Sequence, residues 1–247
     1  MEGTASASNA PSPPILAAND SPIGSMLAHQ LVSSPAVGGG EFQGWPEHFQ
    51  EFFIGLQLDN SKRYFEANRK VYQESVRAPM EALLTSLQEE FGPGKVFRAN
   101  RDIRFSADKS PYKTNIAADC GMGGHGGYVS LDAKGLTAAA GRYELDKEGL
   151  EKYRAAAAAE PSGSKLGAIV ERLEKKGYEL GGEDLKRVPP GFPADHPRAR
   201  LLRHKRLYIW KSFGLQPWLG SAAARDRVAE VWRDARPLDD WFSQHVA

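Results

Sequence analysis

Apolar side chains in the first part of the chain recur at the three- and four-residue spacing of a helix. This spacing predicts a helix that carries Trp45 to Leu56, and a second helix from about Lys62 to Arg77. We expect Asp59-Asn60-Ser61 to end the first and cap the second. Pro79 is expected to interrupt the second helix, and a third helix then stops at Phe91-Gly92-Pro93.

The middle of the chain changes to a period of two, which indicates strands. Alternation over Phe97–Phe105 predicts a strand with one apolar and one polar face. Further strands are expected near Asn115–Cys120, Tyr128–Asp132 and Leu136–Tyr143, and the last two flank a plausible hairpin turn. Another strand is expected at Lys205–Phe213, which is rich in aromatic and β-branched residues.

Helical spacing also returns after the fourth of these strands. It predicts helices at about Lys147–Ala159, Ser164–Lys176, Ser221–Ala235 and Leu238–His245. The order of helices, then strands, then helices indicates a single α+β domain with N-terminal helices, a mainly antiparallel sheet and C-terminal helices.

Composition separates an N-terminal tail from this domain. Ala, Ser, Pro and Gly supply 24 of the first forty residues of the 247-residue chain. Such a segment buries too little apolar area to offset chain entropy, so we expect a disordered tail over residues 1–41 and a domain over residues 42–247. The tail lacks the features of a secretory signal and no apolar stretch is long enough to span a bilayer. We therefore expect a cytoplasmic protein with no membrane partner.

The net charge of +1 conceals an asymmetry along the chain. Residues 1–61 hold six acids and no Lys or Arg, so the remainder carries a net charge of +7. A domain of this charge attracts anions but is less basic than a dedicated nucleic-acid binder. Nucleic acid is therefore not excluded as a partner. One cysteine and six histidines without paired spacing predict neither a metal site nor a cofactor. The oligomeric state is left open.

Charged residues concentrate between positions 98 and 114, where five of seventeen are basic and two are acidic. Arginine forks match carboxylate and phosphate oxygens, so the cluster could hold an anion. The alternative is a structural network in which Asp102 and Asp108 pair with the arginines. The alternation places Arg101 on the apolar strand face, where its charge requires a partner or a ligand. The ligand-binding candidates in this cluster are Arg98, Arg101, Arg104, Lys109, Tyr112 and Lys113.

A second basic region supplies three further ligand-binding candidates, Lys186, Arg187 and Lys205. These residues either form a solvated face or complete a pocket begun by the first cluster. We expect the two regions to meet, because each combines cations with rigid turn residues.

Three side chains are candidates for acid-base catalysis, namely Asp102, Asp108 and His196. Within Asp195-His196-Pro197, a carboxylate stands beside an imidazole, and a positioned histidine can act as a base near neutral pH. Neighbouring side chains rarely face each other, so a helix cap is the interpretation that we favour for this segment.

Three ordered motifs resemble the family called "domain of unknown function 2461". Residues 101–114 are similar to its signature, residues 64–72 to its aromatic helix, and residues 185–197 to a later segment that ends in Asp-His-Pro. The resemblance extends over about residues 42–245. It departs at Asp59 and Tyr64, where the family usually has Asn and Trp. The resemblance implies a single α+β domain and no activity, because none is established for the family.

Three classes of function follow from these patterns. The first is a domain that binds a small phosphate- or carboxylate-bearing ligand through the Arg/Lys cluster. The second is a hydrolase- or transferase-type enzyme that uses Asp and His as acid and base in the same pocket. The third is a nucleic-acid or protein interaction module. We rank them in this order.

The composition of the tail predicts that its removal has little effect on the melting temperature. A chain that starts at Gly40 is expected to melt within about a degree of the full-length protein, because surface tails contribute little to global stability. Differential scanning calorimetry on both proteins measures this. A clear drop in melting temperature on truncation would show that the tail docks on the domain.

Overall fold

Helices enclose a central antiparallel sheet in the computed structural model, which describes residues 41–104, 107–121 and 126–246. Helical segments precede and follow six strands. This confirms the predicted α+β class and the order of its parts. The tail expected over residues 1–41 lies outside the described residues, apart from Glu41.

The N-terminal part is helical from His48 to Phe91, apart from short breaks. Ser61 caps the second helix by accepting a hydrogen bond from the Tyr64 backbone N–H at 3.1 Å, as its position between two apolar runs predicts. The segments are α1 (His48–Leu58), α2 (Lys62–Ala67), α3 (Arg69–Val71), a π-helical turn (Tyr72–Arg77) and α4 (Ala78–Phe91).

The predicted interruption at Pro79 is wrong. Pro79 is the second residue of α4, and the backbone before it is already helical, since the Ala78 N–H donates to the Gln73 carbonyl. The π-helical turn just before it widens the helix, which accommodates the proline ring while the helical path continues.

All six strands belong to one antiparallel sheet. They follow the spatial order β1-β2-β3-β4-β6-β5, so that β1 and β5 form the two edges. The strands are β1 (Gly94–Val96), β2 (Asn115–Cys120), β3 (Gly127–Asp132), β4 (Gly135–Arg142), β5 (Glu179–Glu183) and β6 (His204–Gly214).

The C-terminal helices cover this sheet, and the longest of them packs on β4. The segments are α5 (Lys147–Ala158), α6 (Ser162–Lys175), α7 (Ala199–Leu202), a 3-10 turn (Pro217–Gly220) and α8 (Ala223–His245). The two helices predicted at the C-terminus are in fact one, with Pro237 inside it. An internal proline costs roughly 3 kcal/mol. Burial of Trp232, Leu238 and Trp241 on either side of it keeps the helix continuous.

The strand predicted over Phe97–Phe105 is wrong, because its described residues form only an isolated bridge between Asn100 and Tyr112. Regular pairing ends at Val96, and the chain then stays extended through hydrogen bonds from Phe97 N to Ala117 O and from Arg101 N to Pro111 O, both 2.9 Å. Ile103 is 37% exposed, so the expected apolar face does not reach the core. Phe105 lies outside the described residues. We call residues 97–114 the charged hairpin.

The edge strand β5 was not predicted, because its sequence Glu-Leu-Gly-Gly-Glu has low strand propensity. Tertiary contacts require its glycines. A Cβ at Gly181 would lie 2.3 Å from the Tyr208 ring, and Gly182 has φ +95° where the pairing with β6 shifts register. Such a conformation at a bulge strongly favours glycine.

Asn60 attaches the charged hairpin to the N-terminal helices. Its amide donates to the Tyr112 carbonyl at 3.1 Å and accepts from the Tyr112 N–H at 3.0 Å. The buried Tyr112 ring stacks on Phe65 with centroids 4.1 Å apart. Tyr112, a ligand-binding candidate in the sequence, therefore has a packing role.

Replacement of Asn60 tests this attachment. Asn60→Ala removes both hydrogen bonds and is expected to lower the free energy of unfolding by about 1–3 kcal/mol, because the partly buried Tyr112 groups lose their partner. The matched control is Gln57→Ala, which removes an exposed amide on α1 and should change stability by less than about 0.5 kcal/mol. Urea unfolding of both variants gives the comparison, and equal losses would contradict the attachment.

Candidate functional site

The sheet places the two basic regions at opposite corners. The charged hairpin joins β1 to β2 at the end where Asn115 pairs with Asp132. Residues 184–203 join β5 to β6 at the other edge and the other end, where Glu183 pairs with His204. The edges are separated by five strand spacings, roughly 24 Å. The expectation that the two regions meet in one pocket is therefore wrong, because each region connects an edge strand to its own neighbour.

The charged hairpin supplies its own counter-charges. Asp108 pairs with Arg101. Asp102 lies 2.6 Å from the Arg104 guanidinium and 4.0 Å from that of Arg98. These contacts match the structural alternative considered for the cluster, in which the two carboxylates hold the arginines.

The remaining hairpin cations also have local contacts. Lys109 Nζ donates to the Ile103 carbonyl at 2.8 Å, and Lys113 Nζ lies 5.7 Å from the centre of the Phe97 ring. Arg101 Nε is buried and has no hydrogen-bond partner within the described residues.

The acid-base candidates in the hairpin are held as carboxylates. Hydrogen bonds from Arg104 lower the pKa of Asp102 far below its ordinary value. Hydrogen bonds from Ser110 and the charge of Arg101 lower the pKa of Asp108. A general acid or base at neutral pH works best with a pKa near 7, so these environments shift both groups in the unfavourable direction.

His196 lies in the connection between β5 and β6. Its Nδ1 accepts a hydrogen bond from the Arg198 backbone N–H at 3.0 Å. This bond stabilises the turn that leads into α7. Within the described part of the chain, His196 has no hydrogen bond to Asp195, so the two side chains do not form a catalytic pair.

An open groove of about 670 Å³ lies at the corner opposite the charged hairpin. It contains all three ligand-binding candidates of the second basic region. We call it the basic groove, and its lining residues are Leu150, Arg154, Leu185, Lys186, Arg187, Val188, Pro189, Pro190 and Lys205.

The carboxylates next to the basic groove are already paired elsewhere. Glu183 accepts from Arg203 Nε at 2.6 Å, and Asp184 accepts from Arg206 at 2.6 Å. Among the residues that the structure describes, none that lines the groove is acidic. Its four cations form no ion pair with any residue that the structure describes. These four are Arg154, Lys186, Arg187 and Lys205.

Arg154 is the groove residue that the sequence analysis missed. It stands in a run of alanines that reads only as a good helix former. Arg154 lies four positions after Leu150 on α5, so both side chains share one helix face. That spacing is the signal that could have identified it. Its Nε is buried without a hydrogen-bond partner in the described ranges.

A second cavity, of about 180 Å³, lies between α8 and the sheet and contains the carboxyl of Asp239. Burial raises the pKa of this group to about 6, and the charge of Arg142 opposes that rise. Asp239 Oδ1 is buried and lacks a hydrogen-bond partner among the residues described. No feature of the sequence distinguished this aspartate, because its environment arises from packing alone.

The described ranges hold neither a group of metal ligands nor a helix that could span a bilayer. No three His, Cys, Asp or Glu side chains there are grouped as a metal ion requires. No helix there has both the length and the apolar character needed to cross a bilayer.

Comparison with known proteins identifies one family. The family model described as "Conserved hypothetical protein (DUF2461)" matches residues 48–241. This match confirms the resemblance found in the sequence motifs. No curated protein and no solved structure matches the chain. The family description states no activity, so the argument for function depends on the geometry of the site.

The buried carboxyl of Asp239 makes stability depend on pH. Its pKa is about 6 in the folded chain and about 3.9 when unfolded. Between these values the folded state binds more protons, so stability rises as pH falls from about 7 to 4. Asp239→Asn removes the charge and is expected to stabilise the protein at pH 7.5 by up to about 3 kcal/mol, at 1.36 kcal/mol per pKa unit. That advantage should vanish near pH 4.

Urea unfolding at pH 4.5 and 7.5 measures this difference. The control is Asp195→Asn, which changes an exposed carboxyl in the connection between β5 and β6 and should leave the pH dependence unaltered. An Asp239→Asn protein that is less stable than wild type at pH 7.5 would contradict the argument, because it would mean that the carboxylate is favourably bound.

Proposed function

Since the chain belongs to the DUF2461 family, whose description names no activity, we propose a function from its own geometry: the protein binds a small phosphate- or carboxylate-bearing ligand in the basic groove. One observation is the main support for this proposal. Four cations line a single groove that has no carboxylate. Glu183 and Asp184, which precede Lys186 and Arg187, pair with other arginines, so an anion from solution can supply the counter-charge.

The chemistry of the groove suits such a ligand. Arg154 and Arg187 can each present two parallel N–H groups to a carboxylate or phosphate. Lys186 and Lys205 add compact point charges. Pro189 and Pro190 restrict the backbone beside them, which reduces the conformational entropy lost on binding.

The charged hairpin supports the proposal less well. Each of its three arginines already faces a carboxylate, so an anion there would compete with existing partners. This comparison also disfavours the second class of function, in which Asp102 or Asp108 would act as an acid or base. A nucleic-acid partner remains the third class, and a steep salt dependence of binding would indicate it.

We assign this binding to the cytoplasm. The single thiol of Cys120 is buried and unpaired, which is compatible with a reducing compartment. Fractionation of cells that produce the tagged full chain tests the assignment.

Thermal stabilisation by inorganic phosphate tests the groove. At about ten times its Kd, phosphate is expected to raise the wild-type melting temperature by about 3–6 °C, because it binds only the folded state. Chloride at equal ionic strength is the reference. The double variant Lys186→Gln/Arg187→Gln should lose this shift and keep its fold.

Two matched variants locate the site. Arg63→Gln/Lys165→Gln removes two exposed cations elsewhere, changes net charge equally and should keep the full shift. Arg98→Gln/Lys109→Gln alters the charged hairpin and should also keep it. A shift lost only in the hairpin variant would move the site to that corner, and no shift in the wild type would refute the proposal.

A further inference from the structure

The basic groove combines its cations with an apolar wall, and this combination narrows the ligand class. We infer that the groove binds a free amphipathic anion, meaning an apolar chain that ends in a single carboxylate or phosphate. The inference rests on the proposed function and specifies its ligand. A groove of about 670 Å³ falls within the usual range of small-molecule sites.

Apolar residues make up five of the nine that line the groove: Leu150, Leu185, Val188, Pro189 and Pro190. Leu150 and Val188 are partly buried and pack on the hydrophobic core, so their positions are held from behind. Proline has no backbone N–H, so the wall at Pro189 and Pro190 has no backbone donor for an anion. The side chains on this side of the groove offer apolar contact.

Three of the four cations are exposed, whereas four of the five wall residues are buried or partly buried. Lys186, Arg187 and Lys205 are exposed, whereas Arg154 is partly buried. Long basic side chains keep their charged ends in water while their stems cover apolar surface. A ligand with a charged end and an apolar body would contact the cations and the wall together, whereas inorganic phosphate would leave the wall hydrated.

Two other occupants fit the groove less well. No aromatic side chain lines it, so the bases of a single-stranded nucleic acid would find no stacking surface. A membrane surface is bound by apolar side chains that protrude. The large exposed apolar residues of the described chain are Ile54, Leu58, Ile103 and Leu215, and none of them lines the groove.

Isothermal titration calorimetry on the full-length protein tests the inference, with a series of carboxylates of increasing hydrocarbon length as ligands. The probes are acetate, butyrate, hexanoate and octanoate below micelle-forming concentration, with octanol as the neutral match to octanoate. Affinity is expected to rise about two- to fourfold for each added methylene that reaches the wall. Octanol is expected to bind at least about tenfold more weakly than octanoate, because it lacks the charge.

A conservative variant tests whether the hydrocarbon part of the ligand binds at the apolar wall of the groove. Val188→Thr exchanges a methyl for a hydroxyl of similar size, so it should weaken octanoate about threefold. The matched control is Val71→Thr at a partly buried valine on α3, which should leave octanoate binding unchanged. Equal weakening by both variants would overturn the assignment to the groove.

The outcomes separate this inference from the proposed function. If phosphate stabilises the protein but the affinity for carboxylates does not depend on their hydrocarbon length, the amphipathic ligand is overturned and the proposal of anion binding is left intact. Loss of both effects overturns both proposals. Equal binding of octanol and octanoate shows that the cations contribute nothing and overturns the inference. Binding to phosphatidylglycerol vesicles without saturable octanoate binding assigns the groove to a membrane surface and likewise overturns it.

Discussion

The pairing of β6 with both β4 and β5 determines where the functional parts of the molecule lie. β6 runs for eleven residues between those two strands, so β5 becomes an edge and its connection to β6 turns at one corner of the sheet. The opposite edge belongs to β1, whose connection to β2 is the charged hairpin. Two segments that look alike in charge are thus kept apart by strand order, and each must satisfy its charges locally.

The two basic regions differ in whether nearby carboxylates pair with their cations. In the charged hairpin, Asp102 and Asp108 neutralise the arginines beside them. At the other corner Glu183 and Asp184 are equally close along the chain to the groove residues, yet they pair with Arg203 and Arg206. Geometry therefore decides which cations keep a neighbouring carboxylate, and it leaves those of the basic groove without one.

The sequence predicted what depends on periodicity and missed what depends on packing. Apolar spacing was sufficient to predict α1, which buries one regular face, and a composition rich in aromatic and β-branched residues was sufficient to predict β6. Rules for proline failed at Pro79 and Pro237, since a π-helical turn accommodates the first and flanking buried side chains hold the second.

The sequence predicted only part of the candidate site, again because contacts between distant segments depend on packing. Lys186, Arg187 and Lys205 were identified from charge, whereas Arg154 required the structure because it belongs to a distant segment. Pairing partners cannot be read from charge spacing, because a carboxylate adjacent in sequence can be turned toward another strand. The cost of leaving cations unpaired is modest where they reach water, and it rises for Arg154, whose Nε is buried without a partner in the described chain. Arg154 therefore differs from the exposed cations of the groove in having a buried donor that no described residue satisfies, a feature that Arg101 of the charged hairpin shares.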